Sequence, residues 1–171
     1  MLLHKIDPIR ALQQAWSIME SLPGGRKLFG KVVGQLVPYS GSVSPEILEL
    51  KPGRAAVAMT DRRRIRNHLG SAHALAIANL GEMACGLALN IGLPKGYGAI
   101  LKRIQIEYLR KARGRIVAQC DLDEIAFAGD TVVKASSVVT DGSGTVVARA
   151  ETEWKVGPLK DRKHSKKEVL P

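Results

Sequence analysis

Asn67, Gly70, His73 and Glu82 set an amide, a glycine, an imidazole and a carboxylate at intervals of three, three and nine residues. The first three lie in RRRIRNHLGSAHALA, residues 62–76, where four arginines, an asparagine and two histidines precede a run of small apolar residues. Such a stretch reads as a basic address tag, a nucleic-acid patch, or the mouth of a site whose floor is the helix that follows. Glu82 lies inside that helix. A carboxylate on an enclosed helix is costly unless it is paired or hydrogen-bonded, and loss of water raises its pKa. Groups of this kind are structural partners or working acids and bases, and a perturbed buried carboxylate is a site marker. The structural alternative is a Glu82 satisfied by a backbone amide or by a basic residue at a subunit interface. Asn79 reads as a satisfied core amide, and Cys85 as a small core hydrophobe with no His or Lys close in sequence to activate it.

Helical geometry limits how these groups can meet. At 100° and about 1.5 Å per residue, nine residues put His73 and Glu82 on opposite faces, roughly 13.5 Å apart along the axis. They cannot share a site within one helix. Two copies packed antiparallel would bring His73 of one toward Glu82 of the other, so chemistry using both requires a dimer.

The positioning element is the helix predicted over 71–90, with Ser71 as N-cap. It holds six alanines, two glycines and a cysteine, and no lysine or arginine. A surface helix shows a charged face; this one is apolar nearly all round and must be enclosed. His73, Asn79 and Glu82 would be costly in lipid, so the segment reads as a core helix and not a membrane span. Six strands are available to enclose it. Two are expected at 43–50 and 55–60 around the turn Lys51-Pro52-Gly53, and four beyond the break at 92–96, over 99–109, 116–126, 131–141 and 145–156. The last is the clearest, with Val146, Ala148, Ala150, Thr152, Trp154 and Val156 on one face and mostly charged residues on the other. One wet face suits an antiparallel sheet. Ahead of the sheet, Asp7-Pro8 reads as N-cap and first helical position, with Ile9, Leu12, Trp16 and Met19 at helical spacing up to Pro23-Gly24-Gly25. A second helix carries Leu28, Phe29, Val32, Val33 and Leu36 and ends at Pro38.

The totals agree with one compact domain: 171 residues, 45% of them hydrophobic. This gives a single domain over 1–157, including a helical segment at about 7–37, and a basic tail at 158–171. The formal charge of +10 predicts attraction to anions. Aromatic residues are only 4%, which leaves little for base stacking, and no zinc-finger or RNA-recognition spacing occurs, so nucleic acid is an unlikely partner. Cys85 and Cys120 have no metal-ligand neighbours, no metal is expected, and reduced thiols fit a cytoplasmic protein. The start MLLHKIDPIR lacks the apolar region of a secretory signal.

A long central helix wrapped by a curved antiparallel sheet is the α+β hot-dog architecture, here with extra N-terminal helices. Within that class, N-x-x-G-x-x-H followed nine residues later by an acid resembles the acyl-CoA thioesterases of the phenylacetyl-CoA type, as an uncharacterised branch. The resemblance covers roughly residues 25–157. It implies that Glu82 activates water or attacks the thioester carbonyl. It also implies that the Ala74 and Leu75 N–H groups polarise the carbonyl oxygen, that His73 orients the substrate or the loop, and that Asn67 helps hold water or the acyl group. The sequence departs from the family at one point: His73-Ala74-Leu75 stands where His-Gly-Gly is usual, adding side chains where a thioester approaches. Arg62, Arg63, Arg64, Arg66, Lys102, Arg103, Arg110 and Lys111 are candidates for the phosphates of coenzyme A, which enters as part of the substrate and not as a cofactor. The implied partners are an acyl-CoA and further copies of the chain, as a dimer or a dimer of dimers. A non-catalytic acyl-CoA binding or sensing protein on the same fold is the alternative; a hydratase is a further one on fold grounds.

Overall fold

The computed structural model describes residues 8–123, 127 and 129–159. Two helices lead, α1 (Pro8–Met19) and α2 (Gly25–Leu36), followed by the short α3 (Pro38–Gly41). The expected Asp7 cap and most of the basic tail, 160–171, lie outside the described residues. Gly24, at φ 74°, turns the chain between α1 and α2 in the left-handed region open to glycine. Trp16 and Phe29 meet at 5.1 Å between ring centroids, and with Val33 they join the main core. Leu28 and Leu36 do not; they face solvent on α2.

Strands β1 (Glu46–Lys51), β2 (Arg54–Thr60), β3 (Tyr97–Tyr108), β4 (Arg115–Asp121), β5 (Thr131–Thr140) and β6 (Val146–Pro158) form one antiparallel sheet in the order β1-β2-β4-β5-β6-β3. Each strand lies near its expected place, with shifted ends. The first begins at Glu46 and not at residue 43, because Ser44 sits at φ 50° and Pro45 follows, which breaks the extended run. The fourth in chain order stops at Asp121, and 124–126 lie outside the described residues.

Helix α4 (Ala74–Ile91) packs against all six strands. Its close fit depends on small residues: a Cβ at Gly81 would lie 3.0 Å from Ala150 Cβ and 3.2 Å from Ser137 Oγ. The residues from Ala76 to Ile91 are buried except Ala78, Glu82 and Asn90, which are half-buried. Although α4 is long and apolar enough to cross a membrane, most of it is covered by the chain's own sheet. This is the hot-dog arrangement. Strands β1 and β3 are the sheet edges, and β3 is exposed over Lys102–Gln105 with Ile100, Ile104 and Tyr108 open to solvent.

Candidate active site at the start of the core helix

The connection from β2 to α4 carries the polar groups, and its shape is set by side-chain bonds within it. A turn of 3-10 helix (Arg63–Ile65) leads to the loop at 67–72. There Asn67 Oδ1 accepts from Leu69 N (2.9 Å), Ser71 N (3.3 Å) and Ser71 Oγ (3.2 Å), while Gly70 turns at φ 65°. Arg113 closes the loop from outside, donating from Nε to Gly70 O and from Nη2 to Leu69 O. Backbone bonds from Ala72 N to Ala112 O (2.9 Å) and from His73 N to Ile65 O (2.7 Å) anchor the last residues before the helix. Asn67 therefore serves its own loop, and with it the start of α4.

The N-cap of α4 is His73, not Ser71. Its Nδ1 accepts from Leu75 N at 3.1 Å, which requires a neutral ring with its proton on Nε2. Ser71 is buried two residues earlier and bonded to Asn67. Of the two amides that the family resemblance makes oxyanion donors, Leu75 N–H is thus occupied by the imidazole. Ala74 N–H has no acceptor among the described residues. Tyr108, not singled out from the sequence, reaches across from β3 to donate from its hydroxyl to Ala74 O at 2.9 Å. Its place at the end of an alternating strand is the available signal, but nothing in that pattern names its partner.

A pocket of about 340 Å³ opens at this end of α4, lined by Asn67, Leu69, Ser71, Ala72, Ala74, Ile77 and the stretch from Tyr108 to Ala112. It brings together Asn67, Ala74, Arg110 and Lys111 from the expected set. Glu82 is not in its lining. It lies more than two turns along α4, half-buried, with Oε1 near the bare backbone of Gly86: a Cβ at Gly86 would lie 3.5 Å from that oxygen and 3.2 Å from Trp154 Cη2. Glu82 is the only charged residue of α4. Burial pushes its carboxyl above the ordinary glutamate range, and no ion pair among the described residues opposes this. Within one chain His73 and Glu82 stay apart.

The basic residues divide into separate groups. Arg66 is held at 2.8 Å by the buried Asp61, and Arg103 pairs with Glu153 at 3.5 Å. Arg62 donates to Ser42 O and Ser44 Oγ. Arg63, Arg64, Lys102, Arg110 and Lys111 are exposed. Cys85 and Cys120 are both buried free thiols, packed together between α4 and β4. Cys120 is held well above the ordinary thiol range by its hydrogen bond with Cys85 and by burial, so neither its protonation nor its access suits a nucleophile. Asn79 is buried and donates to Tyr39 O at 3.2 Å.

Comparisons with known proteins bear on the fold and the family. The model of a domain of unknown function, DUF4442, matches residues 25–156. The crystal structure of a structural-genomics protein, APC5556, is 30% identical with a TM-score of 0.74, covering 86% of this chain and 99% of that one. Thioesterase HI1161 from Haemophilus influenzae is 17% identical with a TM-score of 0.65, covering 77% of this chain and 92% of that one. A mutant of the phenylacetic acid degradation protein PaaI from Thermus thermophilus is 23% identical with a TM-score of 0.59, covering 69% and 97%. No curated protein is significantly similar to the chain.

Proposed function

The chain belongs to the DUF4442 family, whose description as a domain of unknown function assigns no chemistry, and we propose from the site itself that it hydrolyses an acyl-CoA thioester. The observation that carries this reading is Glu82, a lone, half-buried carboxylate without a counter-charge on an otherwise apolar core helix. A carboxyl held above its ordinary range is a better proton acceptor near neutral pH than a solvated one. The fold shared with thioesterase HI1161 and with PaaI adds support.

In this reading two copies associate, and Glu82 of one faces the start of α4 in the other. The apolar exposed residues of the β3 edge, Ile100, Ile104 and Tyr108, are the surface through which the copies meet. Glu82 takes a proton from water as the water oxygen bonds to the thioester carbon. The carbonyl oxygen gains the negative charge and is stabilised by Ala74 N–H at the positive end of the helix dipole. Collapse of the tetrahedral species breaks the C–S bond, and the proton held by Glu82 goes to the departing thiolate. Arg110 and Lys111, in the lining of the pocket at the start of α4, support this reading as cations for phosphate groups of the coenzyme. A coenzyme A ester as substrate and the two free thiols support a cytoplasmic location in this reading.

One observation favours a second reading, a protein that binds acyl-CoA without turning it over. The imidazole cap on Leu75 N–H removes one oxyanion donor, and the Leu75 side chain projects from the helix start. Thiol release over short, medium, long and aromatic acyl-CoAs, with binding followed in parallel, separates the two. Turnover that is lost in Glu82→Gln while binding persists is expected. Binding without turnover in the wild type would replace hydrolysis with the second reading.

A further inference from the structure

A second, larger hollow of about 670 Å³ lies between α2, α3 and the adjoining ends of β1 and β2, and shares no lining residue with the pocket at α4. Its floor is bare backbone. A Cβ at Gly30 would collide with the Pro45 carbonyl, and one at Gly34 would lie 2.8 Å from Gly41 Cα. Glycine at these places lets α2 lie directly on its neighbours, so the side chains around the contact become the walls of a groove.

Four of those side chains are cations. Lys27 and Lys31 stand one turn apart on α2, while Arg62 and Arg64 come from the connection after β2. The one carboxylate in the lining, Glu46, is taken by Arg115 at 3.0 Å. Lys27, Lys31 and Arg64 have no ion-pair partner among the described residues. Arg62 is fixed in place, its Nη2 donating to Ser42 O at 3.1 Å and Ser44 Oγ at 2.6 Å, yet its Nε is buried with no hydrogen-bond partner. A buried guanidinium N–H without an acceptor is costly, and so is a cluster of like charges that nothing neutralises. An anion with several oxygens seated in the groove neutralises that cluster.

We propose that this groove binds a phosphorylated nucleotide by its phosphate groups, with Lys27, Lys31, Arg62 and Arg64 as the phosphate ligands. A guanidinium matches phosphate oxygens in pairs, and lysines supply point charges around them. The volume falls in the range of small-molecule sites, and the groove is concave where a membrane-binding face would be flat. The nucleotide is either the phosphoadenosine end of a coenzyme A ester or a free nucleotide; only the first source rests on the thioester reading.

The test is calorimetric titration of adenosine 3′,5′-bisphosphate, coenzyme A and inorganic diphosphate into the wild type, Glu82→Gln and the double variant Lys27→Gln/Lys31→Gln. Both lysines are exposed on α2, so the double variant is expected to melt with the wild type. The bisphosphate should bind the wild type and Glu82→Gln alike and bind the double variant about tenfold or more weakly. Coenzyme A that competes with the bisphosphate identifies the thioester source, and coenzyme A that does not compete identifies a free nucleotide; either supports the site. Binding unchanged in the double variant, or no bisphosphate binding by the wild type, overturns it. Nucleotide binding that survives in a protein with no thiol-release activity would remove the hydrolase reading and leave the groove intact.

Discussion

Replacing Asn67 by alanine separates a residue that holds the loop from one that touches substrate. The change removes the acceptor of three hydrogen bonds, to Leu69 N, Ser71 N and Ser71 Oγ at 2.9, 3.3 and 3.2 Å. Leu69 is exposed, so water recovers its N–H at little cost. Ser71 is only 2% exposed, so its N–H and hydroxyl lose their acceptor where water does not reach. At about 1–3 kcal/mol for each buried group left unsatisfied, with the hydroxyl free to rotate toward another acceptor, the loss comes to about 2–4 kcal/mol. Urea denaturation followed by circular dichroism measures it as a lower midpoint with an unchanged slope. Asn67→Asp keeps an oxygen in the same place for Leu69 and Ser71, although its second oxygen faces Ala72 O where Nδ2 donated at 3.5 Å, so it should cost less than the alanine change and retain turnover. An alanine variant within about 0.5 kcal/mol of the wild type that has nonetheless lost thioester turnover would refute the loop-holding account and put Asn67 on the substrate.

Glu82→Gln should be inactive and more stable than the wild type at neutral pH. As pH rises from about 4.5, the unfolded chain gives up the Glu82 proton while the folded chain still holds it, so the wild type loses stability relative to the variant until its raised carboxyl has ionised. Urea midpoints of the two proteins that run parallel from about pH 4 to about pH 8 would contradict this. Ile104→Lys puts a charge on the exposed β3 edge; sedimentation should show a smaller species and thiol release should fall with it, whereas full activity from a monomer would rule out a composite site. Phe29→Ala empties a fully buried position beside Trp16 and should cost about 3–5 kcal/mol by urea denaturation, tying the N-terminal helices to the core.

Elements whose periodicity follows from burial can be read from the chain, and those fixed by local backbone geometry cannot. The core helix announces itself because eighteen residues holding a single charge must be enclosed, and Asn79 and Glu82 would be costly in lipid. Strand β6 is legible for the same reason, since alternate side chains from Ala148 to Val156 are buried. Apolar alternation that begins at Val43 puts the start of β1 too early, because the left-handed Ser44 leaves no mark in it. Residue preference alone puts the N-cap on Ser71. Asn67 competes for that hydroxyl, and the imidazole two residues on takes the cap.

The candidate site is legible as chemistry and not as assembly. A carboxylate in an apolar helix is visible in one dimension because no neighbour along that helix carries a charge to offset the cost of burying it. Its partner is invisible there, since His73 lies on the opposite face of the same helix and no ion pair among the described residues reaches Glu82. The same logic separates the cations. Arg62, Arg64 and Arg66 stand within five residues of one another and read as one patch, yet folding gives Arg66 to the buried Asp61 and turns Arg62 and Arg64 toward Lys27 and Lys31, more than thirty residues earlier on α2. A count of charges along the chain predicts that an anion binds. Only the close approach of α2 across its glycines decides where, because it converts two distant pairs of cations into the walls of one groove.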